Sequence, residues 1–188
     1  METDFGNKIL NISAKLFRER GFEAVTMNDI SKNANVSENY LKENYQDKET
    51  IVNELASIFF KAQEKYCNSI QNYSSAKKEF IQIIEYCSGF YAKFTPFLSV
   101  EIKNNYPKAW ILFLSHKNEV IIKKVKINLE RGIKDGVYRE IFDVDITAKL
   151  CVEQVQLVFD KLLFPNEHYS KKEVLSVVIK NILYFICK

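Results

Sequence analysis

The chain has 188 residues, 47% of them hydrophobic and 27% charged, with a formal net charge of +3. That is enough apolar material for a packed core, and too little net charge to name a polyanionic partner by itself. Gly and Pro number only 5 and 3; their scarcity excludes a hairpin-rich β protein, because tight turns draw on those residues.

From Asp4 to Arg20, Ile9, Ile12, Leu16 and Phe17 recur at three- and four-residue spacing, the stripe of an amphipathic helix. Gly21 follows, able to take the left-handed conformation that closes a helix, with Phe22 placed to fold back on the last turn. Thr26 and Asp29 have the spacing of a capping box and open a short helix to Ala34. Asn35 stands where the chain must turn, and Ser37 is placed to cap a third helix to about Tyr45. Two short helices around a tight turn form a helix-turn-helix, a unit that lays its second helix in the major groove.

Helical patterning then continues: Lys48 to about Asn72, Ser75 to Phe94, and Pro107 at the first turn of a helix reaching about Lys134. Asp135-Gly136 reads as a turn. Asp145 is expected to cap a helix to about Phe164, and Ser170 with Glu173 a capping box opening the last helix. The fold expected is all-α with about nine helices: a three-helix DNA-binding domain over 1–47, and a helical bundle for regulation and dimerisation over 48–188.

Charged residues from Glu2 to Arg20 break up any apolar leader, and no apolar run reaches the roughly 18 residues of a membrane span. A cytoplasmic protein without a membrane partner is expected. Cys67, Cys87, Cys151 and Cys187 are scattered through apolar helical patterns, with only His116 and His168 as further soft ligands. That spacing predicts buried thiols, with no metal site and no cofactor. Neither a nucleophile with a placed base nor a phosphate-cradling glycine loop is present, so no catalytic residue is named and an enzyme is not expected.

Ile9-Leu10, Ala14, Leu16-Phe17, Gly21-Phe22, Thr26-Met27, Ile30, Ala34, Val36-Ser37, Leu41, Tyr45 and Lys48-Glu49, in this order, resemble the TetR family of bacterial repressors. Asn105 to Trp110 and Leu129 to Ile133 are similar to regulatory domains of its Bacteroidetes members. The chain departs from the family at Asn35 and Asn39, often Gly, and at Lys42, usually Tyr. The resemblance implies a repressor released from a palindromic operator on double-stranded DNA by a small-molecule effector, here one of largely apolar character.

In a family-like pose Glu38, Asn39 and Tyr40 are nearest the bases, with Lys42, Glu43 and Asn44 around them. Asn39 or Asn44 would pair with adenine and Glu38 with a cytosine amine. Lys48 is the leading phosphate contact, matching the family's basic position, and Thr26 the second; Ser37 completes the set at the start of the reader helix. Val36, Leu41 and Tyr45 read as core. Residues 1–48 carry seven Lys/Arg against eight Asp/Glu, a net of −1. Phosphate contacts must therefore come from locally placed groups and helix N-termini. The same balance suits a rival reading, a helical ligand-binding or protein-interaction module without sequence-specific DNA binding.

Stripes at Cys151, Val155, Val158, Leu162 and at Leu175, Val178, Ile182, Phe185 suit a homodimer built through the last two helices. Aromatic residues concentrate in the middle of the chain, and the effector site is expected at Tyr91, Phe94, Phe113, His116, Gln154 and Val158.

Overall fold

The computed structural model describes the backbone of residues 2–70, 75–94 and 100–188, and the side chains of 6–70, 75–92 and 102–188. In order they form α1 (Glu2–Arg20), α2 (Met27–Ala34), α3 (Glu38–Asn44), α4 (Lys48–Ser69), α5 (Ala76–Phe94), α6 (Val100–Asn105) and α7 (Pro107–Ser115). A π-helical segment (His116–Ile122) follows, then α8 (Lys123–Lys134), α9 (Val144–Leu157) and α10 (Lys171–Ile186). Ser115, Ile122 and Lys123 all keep helical dihedrals, so the backbone of 107–134 is continuously helical. Counted that way there are nine helices among the described residues. The fold is all-α, as expected, with an antiparallel bridge between Tyr138 and Cys187.

Two compact units are present, Met1–Lys61 with Pro96–Phe113, and Ala62–Thr95 with Leu114–Lys188. In the first, Gly21 has φ 82° and closes α1, and the Phe22 ring stacks on Phe17 at 4.8 Å. Ile9, Leu16, Ile30, Leu41 and Ile51 are buried among them. Leu41 and Tyr45 are core, and Val36 is half-buried. Pro107 is the first residue of α7, where its missing N–H costs no helical bond.

The second unit is organised around a polar clamp. Asn128 Nδ2 donates to the Ala76 carbonyl at 3.0 Å and to Glu79 at 3.2 Å, while the Tyr138 hydroxyl donates to Asn128 Oδ1 at 3.1 Å. Arg131 pairs with Glu79 at 2.5 Å. Tyr138 is fully buried, and its ring packs against Gly132, where a Cβ would come within 2.0 Å of it. Only glycine admits the ring. This clamp joins α5, α8 and the 135–138 turn, whose Gly136 has φ 71°.

Five features depart from expectation. α6 was not foreseen, and the 107–134 helix passes through a π-helical segment that its apolar spacing does not announce. Asp143, not Asp145, caps α9, accepting from Ile146 N at 2.8 Å; Asp145 instead holds Lys149 Nζ at 2.6 Å. α9 ends at Leu157 rather than near Phe164, because tight three-residue turns take over there. Phe159 N bonds the Gln156 carbonyl at 3.0 Å, and Asp160 then accepts from Leu162 N at 2.8 Å. Ser170 has a cap's extended backbone, but its side chain makes no cap bond.

Candidate functional site

The turn between α2 and α3 sets the geometry of the exposed N-terminal face. Asn35 takes φ 54°, ψ 49°, and its N–H bonds back to α2. Thr26 Oγ1 accepts from Asp29 N at 3.1 Å and donates to Asp29 Oδ2 at 2.6 Å, while Thr26 N donates to the same oxygen at 2.9 Å. These bonds hold the Asp29 carboxyl below its usual range. Ser37 caps α3 by accepting from Tyr40 N at 3.1 Å. With its amide oriented to satisfy its neighbours, Asn28 donates to Glu38 at 3.1 Å and accepts from Lys32 Nζ at 3.2 Å, tying α2 to α3.

On α3 the buried residue is Leu41. Glu38, Asn39, Lys42, Glu43 and Asn44 are exposed, and Tyr40 is half-buried. Asn44 Nδ2 bonds the Tyr40 carbonyl at 2.8 Å, which turns part of its donor capacity back onto its own helix. Thr26 and Ser37 are exposed at the two caps. A short helix is thus pinned by one buried leucine, a serine cap and an inter-helix bridge, with a polar face left open. A major groove accepts such a face.

Lys48, the first residue of α4, is placed differently. Its Nζ donates to the Phe22 carbonyl at 2.6 Å and the Val25 carbonyl at 3.0 Å. Two of its three N–H groups therefore close the loop that leads into α2. Asp47 caps α4, accepting from Thr50 N at 2.8 Å.

Residues 9–55 match the family model of bacterial regulatory proteins, tetR family. The match spans α1 to α3 and the start of α4. The HTH-type transcriptional repressor KstR2 of Rhodococcus jostii (strain RHA1) is 26% identical over 147 residues, 76% of this chain and 72% of that protein. Among solved structures, a transcriptional regulator from Saccharomonospora viridis in complex with choline superposes with a TM-score of 0.87 at 17% identity, over 99% of both chains. The regulator FadR from Bacillus subtilis in complex with stearoyl-CoA gives 0.74 at 14% identity, over 94% of this chain and 96% of that one. At such identities the superpositions establish a shared fold.

The residues expected to bind an effector lie on several elements. Tyr91 is fully buried against Phe90 at 5.3 Å between ring centroids, and Phe90 stacks on His116 at 5.0 Å. Burial lowers the His116 pKa to about 4, so this imidazole is neutral. Phe113 belongs to the first compact unit, stacked on Trp110. Val158 is buried at the end of α9, and the Phe94 side chain lies outside the described residues. Gln154 lines a groove of about 460 Å³ between α9 and α10, with Ile146, Leu150, Ile182 and Phe185.

That groove opens on an apolar seam. Ile146, Leu150 and Leu157 of α9, and Val177, Tyr184 and Phe185 of α10, are all large, apolar and about half exposed or more. Of the stripes read from sequence, Cys151, Val155, Val158 and Ile182 pack inside the subunit, and Leu162 lies beyond α9, 95% exposed. Helical period alone does not distinguish the inward seam from its neighbour. Cys67, Cys87 and Cys151 are buried, and burial pushes the Cys67 thiol up to about 11. No helix among the described residues is long and apolar enough to cross a membrane.

Proposed function

We propose that this chain is a site-specific DNA-binding transcriptional repressor of the cytoplasm, working as a homodimer and released from a palindromic operator by a small molecule. The observation that carries the reading is the α2–α3 unit. It has an asparagine in the left-handed turn, capped ends and an open polar face on α3, within the segment that matches the tetR family model. Residues 1–47 act as the reader and 48–188 as the regulatory part. Glu38, Asn39, Tyr40 and Asn44 face base edges and Thr26, Ser37 and Lys42 meet phosphates, while Lys48, expected from the sequence at a phosphate, instead clamps the loop leading into α2.

The homodimer forms over the exposed α9–α10 seam, which leaves too much contiguous apolar surface for a lone soluble protomer. Its two-fold axis requires a palindrome with half-sites about 34–36 Å apart. Related regulators crystallised with choline and with stearoyl-CoA support an effector with an apolar body. α4 begins at the reader and, at 22 residues, is about 33 Å long; it serves as the lever. An effector shifts the dimer only as far as its affinity differs between the bound and released forms.

The test is titration of the full-length protein against the DNA upstream of its own gene over a range of salt. Saturable nanomolar binding to a palindrome, with a steep salt slope, is expected. Equal binding to a scrambled palindrome would sink the reading, and the net −1 of residues 1–48 would then favour a protein-interaction module.

A further inference from the structure

The second compact unit has another groove, between the C-terminal half of α4 and the middle of α5. Its volume is about 350 Å³, in the range that takes a small molecule. Three rings form its walls, those of Tyr66, Tyr86 and Phe90. Tyr66 and Tyr86 lie 5.5 Å apart between centroids, Tyr86 and Phe90 6.4 Å. They are held from behind. The Tyr86 hydroxyl donates to the Gln63 carbonyl at 3.0 Å, His116 Nε2 sits 3.2 Å from that hydroxyl, and Phe90 stacks on the His116 ring.

One formal charge lines the groove, the exposed carboxylate of Glu85, which accepts from Gln82 Nε2 at 2.9 Å. Neither Lys nor Arg is among the described lining residues. His116 behind the rings is neutral, its pKa lowered to about 4 by burial, and adds no positive charge against a cationic guest. Gly89 is the telling residue. Glycine is the costliest residue short of proline in a helix interior, yet a Cβ at Gly89 would meet nothing within 4 Å. Among the described residues packing gives no reason for a glycine there, and Gly89 lines the groove.

We propose that this groove binds a small organic ammonium ion, its apolar body against the rings of Tyr66, Tyr86 and Phe90 and its charge facing Glu85. The ring quadrupole attracts a cation at the aromatic face. An anion would meet the carboxylate, and a neutral hydrocarbon would desolvate it without compensation. The proposal rests on the small-molecule half of the function above, for which it names the effector class.

The test uses the full-length protein with tetramethylammonium chloride, and with tert-butanol as a neutral molecule of similar size, at constant ionic strength. Saturable binding of tetramethylammonium is expected by calorimetry, with tert-butanol about fivefold weaker or less. Glu85→Gln should weaken tetramethylammonium severalfold. Gly89→Ala should raise the melting temperature while weakening tetramethylammonium binding too, because the methyl stabilises α5 and takes up room at the groove lining. No saturable binding, equal affinity for the two probes, or wild-type affinity in both variants overturns the proposal. Operator binding is measured on the same preparation. Its loss removes the repressor reading and leaves the ammonium result standing.

Discussion

Replacing Lys48 with Met removes one charge from the start of α4 while keeping an unbranched side chain of similar length. Its Nζ lies 2.6 Å from the Phe22 carbonyl and 3.0 Å from the Val25 carbonyl. The variant loses two charge-assisted bonds at a half-buried site, together about 1–3 kcal/mol of stability. The loop they close ends at Thr26, the cap of α2, so the reader unit loses its anchor to α4. Operator affinity should fall about tenfold, equivalent to about 1.4 kcal/mol.

A phosphate contact and an internal clamp differ in salt dependence. Each phosphate neutralised contributes about 0.9 to the slope of log K against log salt, so a dimer losing two would lose about 1.8. Fluorescence anisotropy on operator DNA over a salt series, beside urea denaturation, separates the two roles. The geometry predicts a lower urea midpoint, weaker binding and a nearly unchanged slope for Lys48→Met. Lys42→Met, exposed on α3, should lower the slope with stability intact. A slope loss near 1.8 for Lys48→Met at an unchanged urea midpoint would refute the clamp.

Further outcomes follow from the same structure. Gly132→Ala drives a methyl to within 2.0 Å of the Tyr138 ring, and should cost about 3 kcal/mol by overpacking and loss of the Asn128 bond; Tyr138→Ala in the same chain should relieve part of that cost, as a double-mutant denaturation cycle will report. Leu150→Glu with Phe185→Glu on the exposed seam should give a folded monomer in sedimentation velocity, and a dimer that persists would place the interface elsewhere. For His116, burial lowers the folded pKa from 6.5 to about 4, so as pH falls the unfolded chain takes up its proton first. The resulting stability, up to about 3 kcal/mol, is present above pH 6.5 and lost between 6.5 and about 4; His116→Phe should flatten that part of the stability–pH curve.

Local chemistry was legible residue by residue. Gly21, the Thr26–Asp29 box, Asn35 and Ser37 each act within four residues of chain, and each adopts the conformation that its type requires. That is why α1 to α3 and the open face of α3 follow from the sequence alone, as does the all-α class. At Asp143 and Asp145 two acids compete for one cap, and the distant Lys126 and the neighbouring Lys149 take the second.

What only the tertiary structure decided depends on partners far along the chain. Lys48 reads as a free cation until the Phe22 and Val25 carbonyls, more than twenty residues earlier, are found against it. Gly132 looks like one more helix glycine until the Tyr138 ring is found packed against it. The inward and outward seams of α9 share one period, and only packing shows that Cys151 and Val155 point in while Ile146 and Leu150 stay exposed. Periodicity records that a face is apolar; what covers it is settled by long-range contacts that no local pattern encodes.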